Sequence, residues 1–348
     1  MFYLKYRPKT ISEIDNSHVK DILKKLLESN DIPHALLLIG QKGTGKTSTA
    51  RIIAKSLNCL QNKFATKSDS IEPCNICENC QSISNSSFTD VLEMDAASNR
   101  GIEEIKNLIR ETSFLPMSGR YRVFIIDEAH MITPDGFNAL LKTLEEPPST
   151  AVFILATTNP EKIPKTIASR CVRINFGKAK KEDMINMLNR IVKSENLTFE
   201  KGVLEIISTH GESSFRDATK ILEELTIQKI TTLAATEQFL GMRGKNNLLE
   251  IIESQDEKTV YNWIHEFEKG SGNFKNLIED MLNQLRILLL SKKGIEIEDH
   301  FKSNLTLSQI TKLIKLLMEA YQNLRLSPIE SLPLEIALSE FYNKTNTN

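Results

Sequence analysis

The segment GQKGTGKT, residues 40–47, limits the fold of this chain more than any other stretch of its sequence. It fits the pattern G-x-x-x-x-G-K-[ST], follows the apolar run 35–39 and precedes the helix-like run TSTARIIAKSL. In such loops the backbone N–H groups face phosphate oxygens, and the helix that follows adds partial positive charge. A chance glycine turn would lack this strand-and-helix context, so the segment predicts a phosphate-binding loop. The residues expected to bind a nucleotide here are Gly40, Gln41, Lys42, Gly43, Thr44, Gly45, Lys46 and Thr47.

A second motif, YRVFIIDEAH, puts two acids at the end of an apolar run. Asp127 at such a point can hold magnesium, and Glu128 can polarise an attacking water. Adjacent acids are usually a solvated surface pair, but the phosphate loop upstream favours a catalytic interpretation. We therefore expect magnesium at Thr47 and Asp127, catalytic roles for Lys46, Asp127 and Glu128, and a structural role for His130.

Residues 1–178 alternate short apolar runs with amphipathic segments. The runs are HALLLIG, DVLEMDA, YRVFIID, AVFILATT and VRINF, all rich in Val, Ile and Leu. Alternation of this kind indicates an α/β fold, in which helices flank a parallel sheet. Apolar runs that are continuous are typical of strands covered on both faces.

The chain changes character near Lys178, where the polar, basic stretch GKAKKEDM follows the last strand-like run. A length of 348 residues favours two or three domains. We predict an α/β domain at 1–178, a small helical domain at 179–242 and longer amphipathic helices at 243–348. The segment NFKNLIEDMLNQLRILLL has an apolar face at helical spacing, which could form a bundle core or assemble subunits.

Charge and apolar runs limit the partners that the chain could have. With 44 basic and 45 acidic residues the chain is no polycation, so any DNA contact must come from a local patch. The apolar runs are far shorter than a membrane span, and the start MFYLKYRPKT lacks the pattern of a signal peptide. We expect a cytoplasmic protein with no membrane partner.

Four cysteines cluster in the sequence between residues 59 and 80. The last three are spaced C-x-x-C-x-x-C, which lets thiolates converge on one zinc ion. Four sulfur ligands without a histidine or an acid predict a closed, structural site. Disulfides or free buried thiols are the alternative, but disulfides are rare in the cytoplasm. The expected zinc ligands are Cys59, Cys74, Cys77 and Cys80, whereas Cys171 is expected to be a small core residue.

These motifs, together with NALLKTLEEPPS at 138–149 and SRC at 169–171, resemble those of the bacterial clamp loader ATPases, the gamma/tau family of DNA polymerase III subunits. The resemblance runs over essentially the whole chain. It implies an AAA+ nucleotide-binding domain with a zinc insert, then a small helical lid and a helical collar that joins subunits into an open ring. The ring uses ATP to open a sliding clamp and close it around primed DNA. The implied partners are delta, delta-prime and further gamma/tau subunits, the sliding clamp and primer–template DNA.

The resemblance also implies roles for single residues. Thr158 in LATTNP matches the sensor that orients the hydrolytic water, although Thr157 could be the one that reaches it. Arg216 matches a lid arginine that contacts the terminal phosphate in the same chain. Arg170 matches an arginine finger that reaches the ATP of the neighbouring subunit. A local salt bridge or a helix C-cap is the alternative for Arg170.

Two further segments match the family less closely. Tyr6, Arg7 and Pro8 match residues that flank the adenine, but Asp15–Ser17 replace the usual V-G-Q that follows. An ordinary packed arm is the alternative for Tyr6. In ASNRGIEEIKNLIR, residues 97–110, the resemblance implies a helix that faces DNA. The candidate contacts are Asn99, Arg100, Lys106 and Arg110, with Glu103 and Glu104 favouring a solvated charged face instead.

Two rival functions stay open from the sequence. A non-catalytic, delta-prime-like subunit shares zinc and SRC but usually lacks a working phosphate loop, whereas Lys46 and Thr47 are present here. Another AAA+ DNA motor, such as a branch-migration helicase, would not be expected to carry the cysteine insert and LLKTLEEPP. ATP binding separates the first rival from a clamp loader ATPase, and strand unwinding would identify the second.

Overall fold

The computed structural model divides the chain into two compact units, Met1–Thr231 and Thr232–Asn348. The domain boundaries expected at 178 and 242 stay predictions. The residues that the structure describes are 1–29, 31–99, 101–211, 213–240, 245–254 (without the side chains of 245–247), 256–269, 272–295 and 303–343.

The first unit is built on a five-stranded parallel sheet, as the apolar runs predict. The strand order is β2-β3-β4-β1-β5, so β1 lies between β4 and β5 while β2 and β3 lie beyond β4. The connection that leaves β1 runs across the sheet to β2 at its edge, and the connection that leaves β4 runs the other way, past β1, to β5. Clefts in parallel sheets form at the carboxyl ends of neighbouring strands whose connections diverge in this way. The strands are β1 Ala35–Gly40, β2 Val91–Asp95, β3 Arg122–Asp127, β4 Ala151–Thr157 and β5 Val172–Gly177.

Helices cover both faces of this sheet. Alternate residues of a strand point to opposite faces, and Leu36 and Leu38 accordingly belong to one buried core while Ala35 and Leu37 belong to the other. The helices of the first unit are α1 Phe2–Lys5, α2 Ser17–Glu28, α3 Lys46–Asn58, α4 Glu78–Ser84, α5 Ile102–Thr112, α6 Pro134–Glu145, α7 Lys165–Ala168, α8 Lys181–Ser194, α9 Val203–His210 and α10 Phe215–Ile227. Short 3₁₀ turns occupy Ala129–Met131 and Pro160–Lys162.

Local sequence explains where several helices begin. The Thr133 hydroxyl accepts the N–H of Gly136 at the start of α6, and Pro134 takes the first helical position, where no N–H is needed. The Asn16 side chain caps α2 by accepting the N–H of Val19. These caps fix the helix starts on either side of the sheet.

The second unit is helical over its described residues. One face of α14 is buried among apolar side chains, including Phe274, Leu277, Ile278, Met281 and Leu285, so this face forms a core within the unit. The helices are α11 Leu233–Phe239, α12 Lys245–Glu253, α13 Glu257–Lys269, α14 Phe274–Lys292, α15 Leu307–Asn323 and α16 Leu332–Asn343.

Among the helices that the structure describes, none has the length and apolar character needed to cross a membrane.

Candidate functional site

The loop after β1 has the backbone that a phosphate cradle requires. Gly43 and Gly45 have φ of 79° and 100°, in the left-handed region that favours glycine. A Cβ on Gly43 would lie 2.0 Å from the Ser214 Oγ, so a side chain there would also collide with the N-cap of α10. The Thr44 hydroxyl closes the loop by donating to the Gln41 carbonyl oxygen at 2.8 Å. The predicted loop residues thus form one tight turn in front of α3.

Lys46 lies buried at the first position of α3, with 6% of its surface exposed. Its Nζ donates to the carbonyl oxygens of Gly40 at 2.8 Å and Gln41 at 2.9 Å. Burial lowers the pKa of this lysine, and the nearby carboxylates of Glu128 and Asp127 act in the opposite direction. An ammonium held by two neutral carbonyls inside a turn fits a phosphate group, whose charged oxygens are stronger acceptors.

The two predicted magnesium ligands are in direct contact. The Thr47 hydroxyl donates to Asp127 Oδ2 at 2.6 Å, across the gap between α3 and the end of β3. The other carboxylate oxygen, Oδ1, accepts the N–H of Glu128 at 2.9 Å. Hydroxyl and carboxylate oxygens beside a phosphate loop fit magnesium, which is usually bound by one or two such groups and the substrate phosphates.

Glu128 has φ 47° and ψ 42°, a left-handed conformation that is uncommon for a residue with a Cβ. Its Oε2 accepts the Thr158 hydroxyl at 3.1 Å and lies 3.4 Å from the His130 Nδ1. The Thr157 hydroxyl lies 3.2 Å from that same Nδ1. Of the two threonines, Thr158 therefore contacts the glutamate, and Thr157 contacts the histidine behind it.

These groups meet because β1, β4 and β3 are neighbours and run parallel. The loop follows β1, Thr157 ends β4 and Asp127 ends β3, so their side chains gather at one edge of the sheet. A cavity of about 190 Å³ opens at this edge. Its walls include the phosphate loop, Asp127 and Glu128, the N-terminal residues Tyr6, Arg7 and Pro8, and Arg216 of α10.

The arginines at the cavity have different partners. Arg7 donates through Nε to the Ser48 Oγ at 2.7 Å, next to the phosphate loop. Burial lowers the pKa of Arg7, and the neighbouring Arg51 acts in the same direction. The Arg216 guanidinium lies 5.5 Å from the centre of the Tyr3 ring. Tyr3 and Ser48 carry no motif, and sequence reasoning missed both.

Asp15, which departs from the family pattern in the sequence, also lines the cavity. Its Oδ1 lies 3.0 Å from Nη2 of Arg190 on α8. Burial raises the pKa of Asp15 to about 6, although Arg190 opposes this rise. The partners are far apart in sequence, so no local pattern could have revealed the pair.

Arg170 lies outside this cavity. Its guanidinium forms an ion pair with Glu145 at the end of α6, and its Nη1 donates to the Thr166 carbonyl oxygen at 2.6 Å. About a third of its side chain is exposed. Within one chain Arg170 therefore has the local contacts that the alternative interpretation describes, and a role towards a second subunit stays a prediction.

The predicted DNA-facing residues lie on the exposed side of α5 or just before it. Asn99, Lys106 and Arg110 are exposed, and Arg100 lies outside the described residues. The Lys106 Nζ is 3.0 Å from a carboxylate oxygen of Glu103, and Arg110 donates to Asn107 at 3.1 Å.

The four cysteines of the insert come together in space. Their sulfur atoms all lie within 4.8 Å of one another, and no disulfide joins them. Burial raises the pKa of Cys59, whereas the pKa of Cys74, which burial also raises, is lowered overall to about 7 by the N–H groups of Ile76 and Cys77. Four converging sulfurs fit a tetrahedral metal ion of the zinc type. Cys171 lies elsewhere, buried in the core on one face of the sheet.

Comparison with known proteins identifies relatives over most of the chain. The family described as DNA polymerase III, delta subunit, matches residues 15–180. DNA polymerase III subunit tau of Bacillus subtilis is 37% identical over 85% of this chain and 53% of its own length. DNA polymerase III subunit gamma of Buchnera aphidicola is 33% identical over 97% of this chain and 95% of its own. The chain thus spans about half the length of the Bacillus relative and nearly all of the Buchnera one.

Among solved structures, the RuvB Holliday junction branch migration motor of Thermotoga maritima is 19% identical, with a TM-score of 0.48 over 71% of this chain and 79% of that one. A likeness of this size does not indicate a shared function. The relatives of higher identity favour a gamma/tau subunit over a delta-prime-like one. They are tau and gamma subunits, and the Buchnera gamma subunit matches this chain almost from end to end. The chain belongs to the gamma/tau family of DNA polymerase III subunits.

Proposed function

We propose that this chain is an AAA+ ATPase subunit of a bacterial clamp loader, which uses ATP to load a sliding clamp onto primed DNA. The observation that supports the proposal most is the 2.6 Å hydrogen bond between Thr47 and Asp127. It brings the end of the phosphate loop to the acidic pair on β3, which is the arrangement that phosphoryl transfer to water requires.

Each side chain around the cavity has its own role in ATP hydrolysis. Lys46 binds the terminal phosphates, and Thr47 and Asp127 hold magnesium, which supplies positive charge beside those phosphates. Glu128 accepts the proton of the attacking water, and Thr158 holds the glutamate carboxylate in place through its hydroxyl. Arg216 contacts the terminal phosphate from α10 of the same chain. Tyr6, Arg7 and Pro8 form the wall that the base packs against.

The remaining parts of the chain assist the ring. Residues 179–242 act as the lid, and 243–348 as the collar that joins delta, delta-prime and further gamma/tau subunits. The exposed residues of α5 face the primer–template DNA. The four cysteines bind a structural zinc ion, and the protein acts in the cytoplasm.

A non-catalytic, delta-prime-like subunit is the alternative. The intact loop disfavours it, because Lys46 is buried with its ammonium inside the turn and Glu128 is held by Thr158. ATP binding by the isolated chain, lost in a Lys46→Ala variant, separates the two functions.

Steady-state ATP hydrolysis by the chain, reconstituted with delta and delta-prime, tests the proposal. Primed DNA and sliding clamp added together should stimulate hydrolysis strongly, and each alone should stimulate it less. Hydrolysis that is indifferent to both would rule out clamp loading as the use of this ATPase.

A mixing experiment tests the proposed arginine finger. Lys46→Ala and Arg170→Ala chains should each hydrolyse ATP poorly, since a finger contributes roughly a thousandfold or more to the rate. In mixed assemblies an intact loop can meet an intact Arg170 of the neighbouring subunit, so activity should return. If no ratio restores it, Arg170 acts within its own chain, where it already pairs with Glu145.

A further inference from the structure

The N-terminal arm, residues 1–16, forms one wall of the proposed nucleotide cavity. Tyr6, Arg7, Pro8 and Asp15 all line it. Apart from the short α1, this arm belongs to no helix or strand. Its position therefore depends on individual side-chain contacts rather than on a ladder of backbone hydrogen bonds.

Two of these contacts come from the cysteine insert, residues 59–80. The Glu72 carboxylate accepts the backbone N–H of Ile11 at 2.7 Å through one oxygen and that of Ser12 at 2.9 Å through the other. Ile11 is fully buried, in the same apolar core as Phe64 and Ile71 of the insert. A carboxylate that takes two adjacent N–H groups fixes both the position and the direction of the arm.

A third contact runs through α3, the helix that begins at the phosphate loop. Lys55 of this helix is 3% exposed, and its Nζ donates to the Lys9 carbonyl oxygen at 2.7 Å and to the Asn75 Oδ1 at 2.6 Å. Asn75 stands between two of the clustered cysteines, Cys74 and Cys77, and has φ 58°. One buried ammonium thus joins the arm, the cysteine turn and the phosphate-loop helix.

We propose that the cysteine insert positions the N-terminal arm and thereby sets the affinity of the cavity for the nucleoside end of its nucleotide. Glu72 of the insert and Lys55 of α3 are the positioning residues, and the clustered cysteines hold the segment that carries Glu72 and the Asn75 partner of Lys55. The inference rests on the proposed function, because it assumes that the cavity binds a nucleotide with its phosphates at Lys46. The insert acts on the base wall of the cavity, while the phosphate loop keeps its own glycine-built shape.

The test compares two ligands that differ in the nucleoside. Inorganic tripolyphosphate reaches the phosphate-binding groups, the loop and Arg216, whereas ATP also reaches the base wall that the arm forms. In the full chain with magnesium, Glu72→Ala should raise the Kd for ATP about tenfold, the effect of losing two charge-assisted hydrogen bonds to the arm, and leave the Kd for tripolyphosphate unchanged. Glu72→Gln, which keeps one acceptor oxygen, should give a smaller rise. Hydrolysis should show a raised KM with an unchanged kcat.

Glu78→Gln is the matched control, because Glu78 is an exposed acid of the same segment, at the start of α4. Zinc content and amide exchange of the arm are measured for every variant. Exchange should accelerate at residues 9–14 in Glu72→Ala and stay slow in Glu78→Gln. If the Glu72→Ala variant loses its zinc, the Glu72→Gln variant tests the inference instead, again by comparing the Kd for ATP with the Kd for tripolyphosphate.

If Glu72→Ala weakens the binding of ATP and of tripolyphosphate equally, or weakens neither, the inference is overturned while the proposed nucleotide site is not. Failure of the proposed function would give a different result. The unaltered chain would then bind neither ligand, or the Lys46→Ala variant would bind both as tightly as the unaltered chain does.

Discussion

The phosphate cradle and the cysteine cluster each bring together side chains that fit a charged ligand, but these side chains have different partners inside the protein. In the cradle Lys46 bonds to carbonyl oxygens of the loop, Thr47 bonds to Asp127, and Glu128 accepts from Thr158. The four sulfurs of the cluster have each other within 4.8 Å and a few backbone N–H groups at 3.3–3.4 Å.

This difference predicts how each site behaves without its ligand. The polar side chains of the cradle already have hydrogen-bond partners inside the protein, so the shape of the cradle should not depend on a bound nucleotide. In the cluster the thiolates repel one another as soon as more than one is ionised, and only a cation removes that repulsion. We therefore expect loss of the ligand to unfold the insert around the cluster and to leave the cradle folded.

The largest effect is expected from breaking the cluster. Structural zinc contributes on the order of 10 kcal/mol to the folding of small sites, so Cys74→Ser should release the metal and expose the amides of 59–84 to exchange. Cys74 is only partly buried, so lost packing contributes little. Cys171→Ser is the control, a buried cysteine remote from the cluster. Metal analysis and amide exchange check both variants; one zinc per chain and an unchanged insert in Cys74→Ser would contradict the prediction.

In the cradle, the corresponding change should affect chemistry and not folding. Glu128→Gln keeps the shape of the side chain but removes the proposed base, so the hydrolysis rate should fall by about 10²–10⁴ while ATP still binds. Glu161→Gln, an exposed acid in the turn after β4, should leave the rate unchanged. Single-turnover hydrolysis and equilibrium binding measure the two quantities separately. A parallel loss of binding and rate would mean that Glu128 supports the fold of the cradle.

Much of the fold and of the cradle could be predicted from the sequence, because the signals are local. The central strands are apolar runs, and the phosphate loop and Asp127 stand at the ends of two of them. Thr158 could not be separated from Thr157, since the two stand side by side at the end of β4 and only the structure shows which hydroxyl reaches Glu128.

Contacts between distant segments had no such signal. The Glu72 carboxylate meets the N–H groups of Ile11 and Ser12, about 60 residues earlier in the chain. Asp15 meets Arg190 across 175 residues. Each of these side chains is an ordinary charged residue in the sequence, and its role depends on which segments the fold brings together.

The Asp15–Arg190 pair is expected to make the stability of the fold depend on pH. Folding raises the pKa of Asp15 from 3.8 to about 6 because the carboxyl is buried; Asp183 also raises it, whereas Arg190 and Lys20 lower it. The folded state thus binds the proton more tightly than the unfolded state, and this carboxyl lowers stability as the pH rises from about 4 to about 6. Above that range the ionised carboxylate depends on Arg190 for a partner.

Arg190→Met should therefore lower the free energy of unfolding by about 2 kcal/mol at pH 8, where it leaves a buried charge unpaired; the partial exposure of Arg190 keeps the loss below that of a fully buried pair. At pH 5 the loss should be smaller, because Asp15 is then largely protonated. Lys193→Met, which removes an exposed charge from the same helix, is the control. Urea denaturation at both pH values measures the difference. Equal losses at pH 5 and pH 8 would show that Arg190 contributes packing and not charge.

The smallest effect is expected from a single hydroxyl of the cradle. Thr158→Val keeps the volume of the side chain and removes only the hydrogen bond to Glu128, so hydrolysis should slow roughly tenfold with unchanged ATP affinity. Thr157→Val is the matched variant on the adjacent residue. The Thr157 hydroxyl contacts His130 and accepts the N–H of Asn159, so this change should cost about 1 kcal/mol of stability and affect the rate less.

The hydrolysis rate and the free energy of unfolding, measured for both valine variants, show whether one hydroxyl supports hydrolysis and the other supports folding. If the rate falls more in Thr157→Val, then the contact through His130 positions Glu128, and the direct bond from Thr158 does not. If both variants unfold more easily and neither changes the rate, the hydroxyls serve only the fold. The cradle would then resemble the cysteine cluster, where the groups that bind the ligand also hold the segment together.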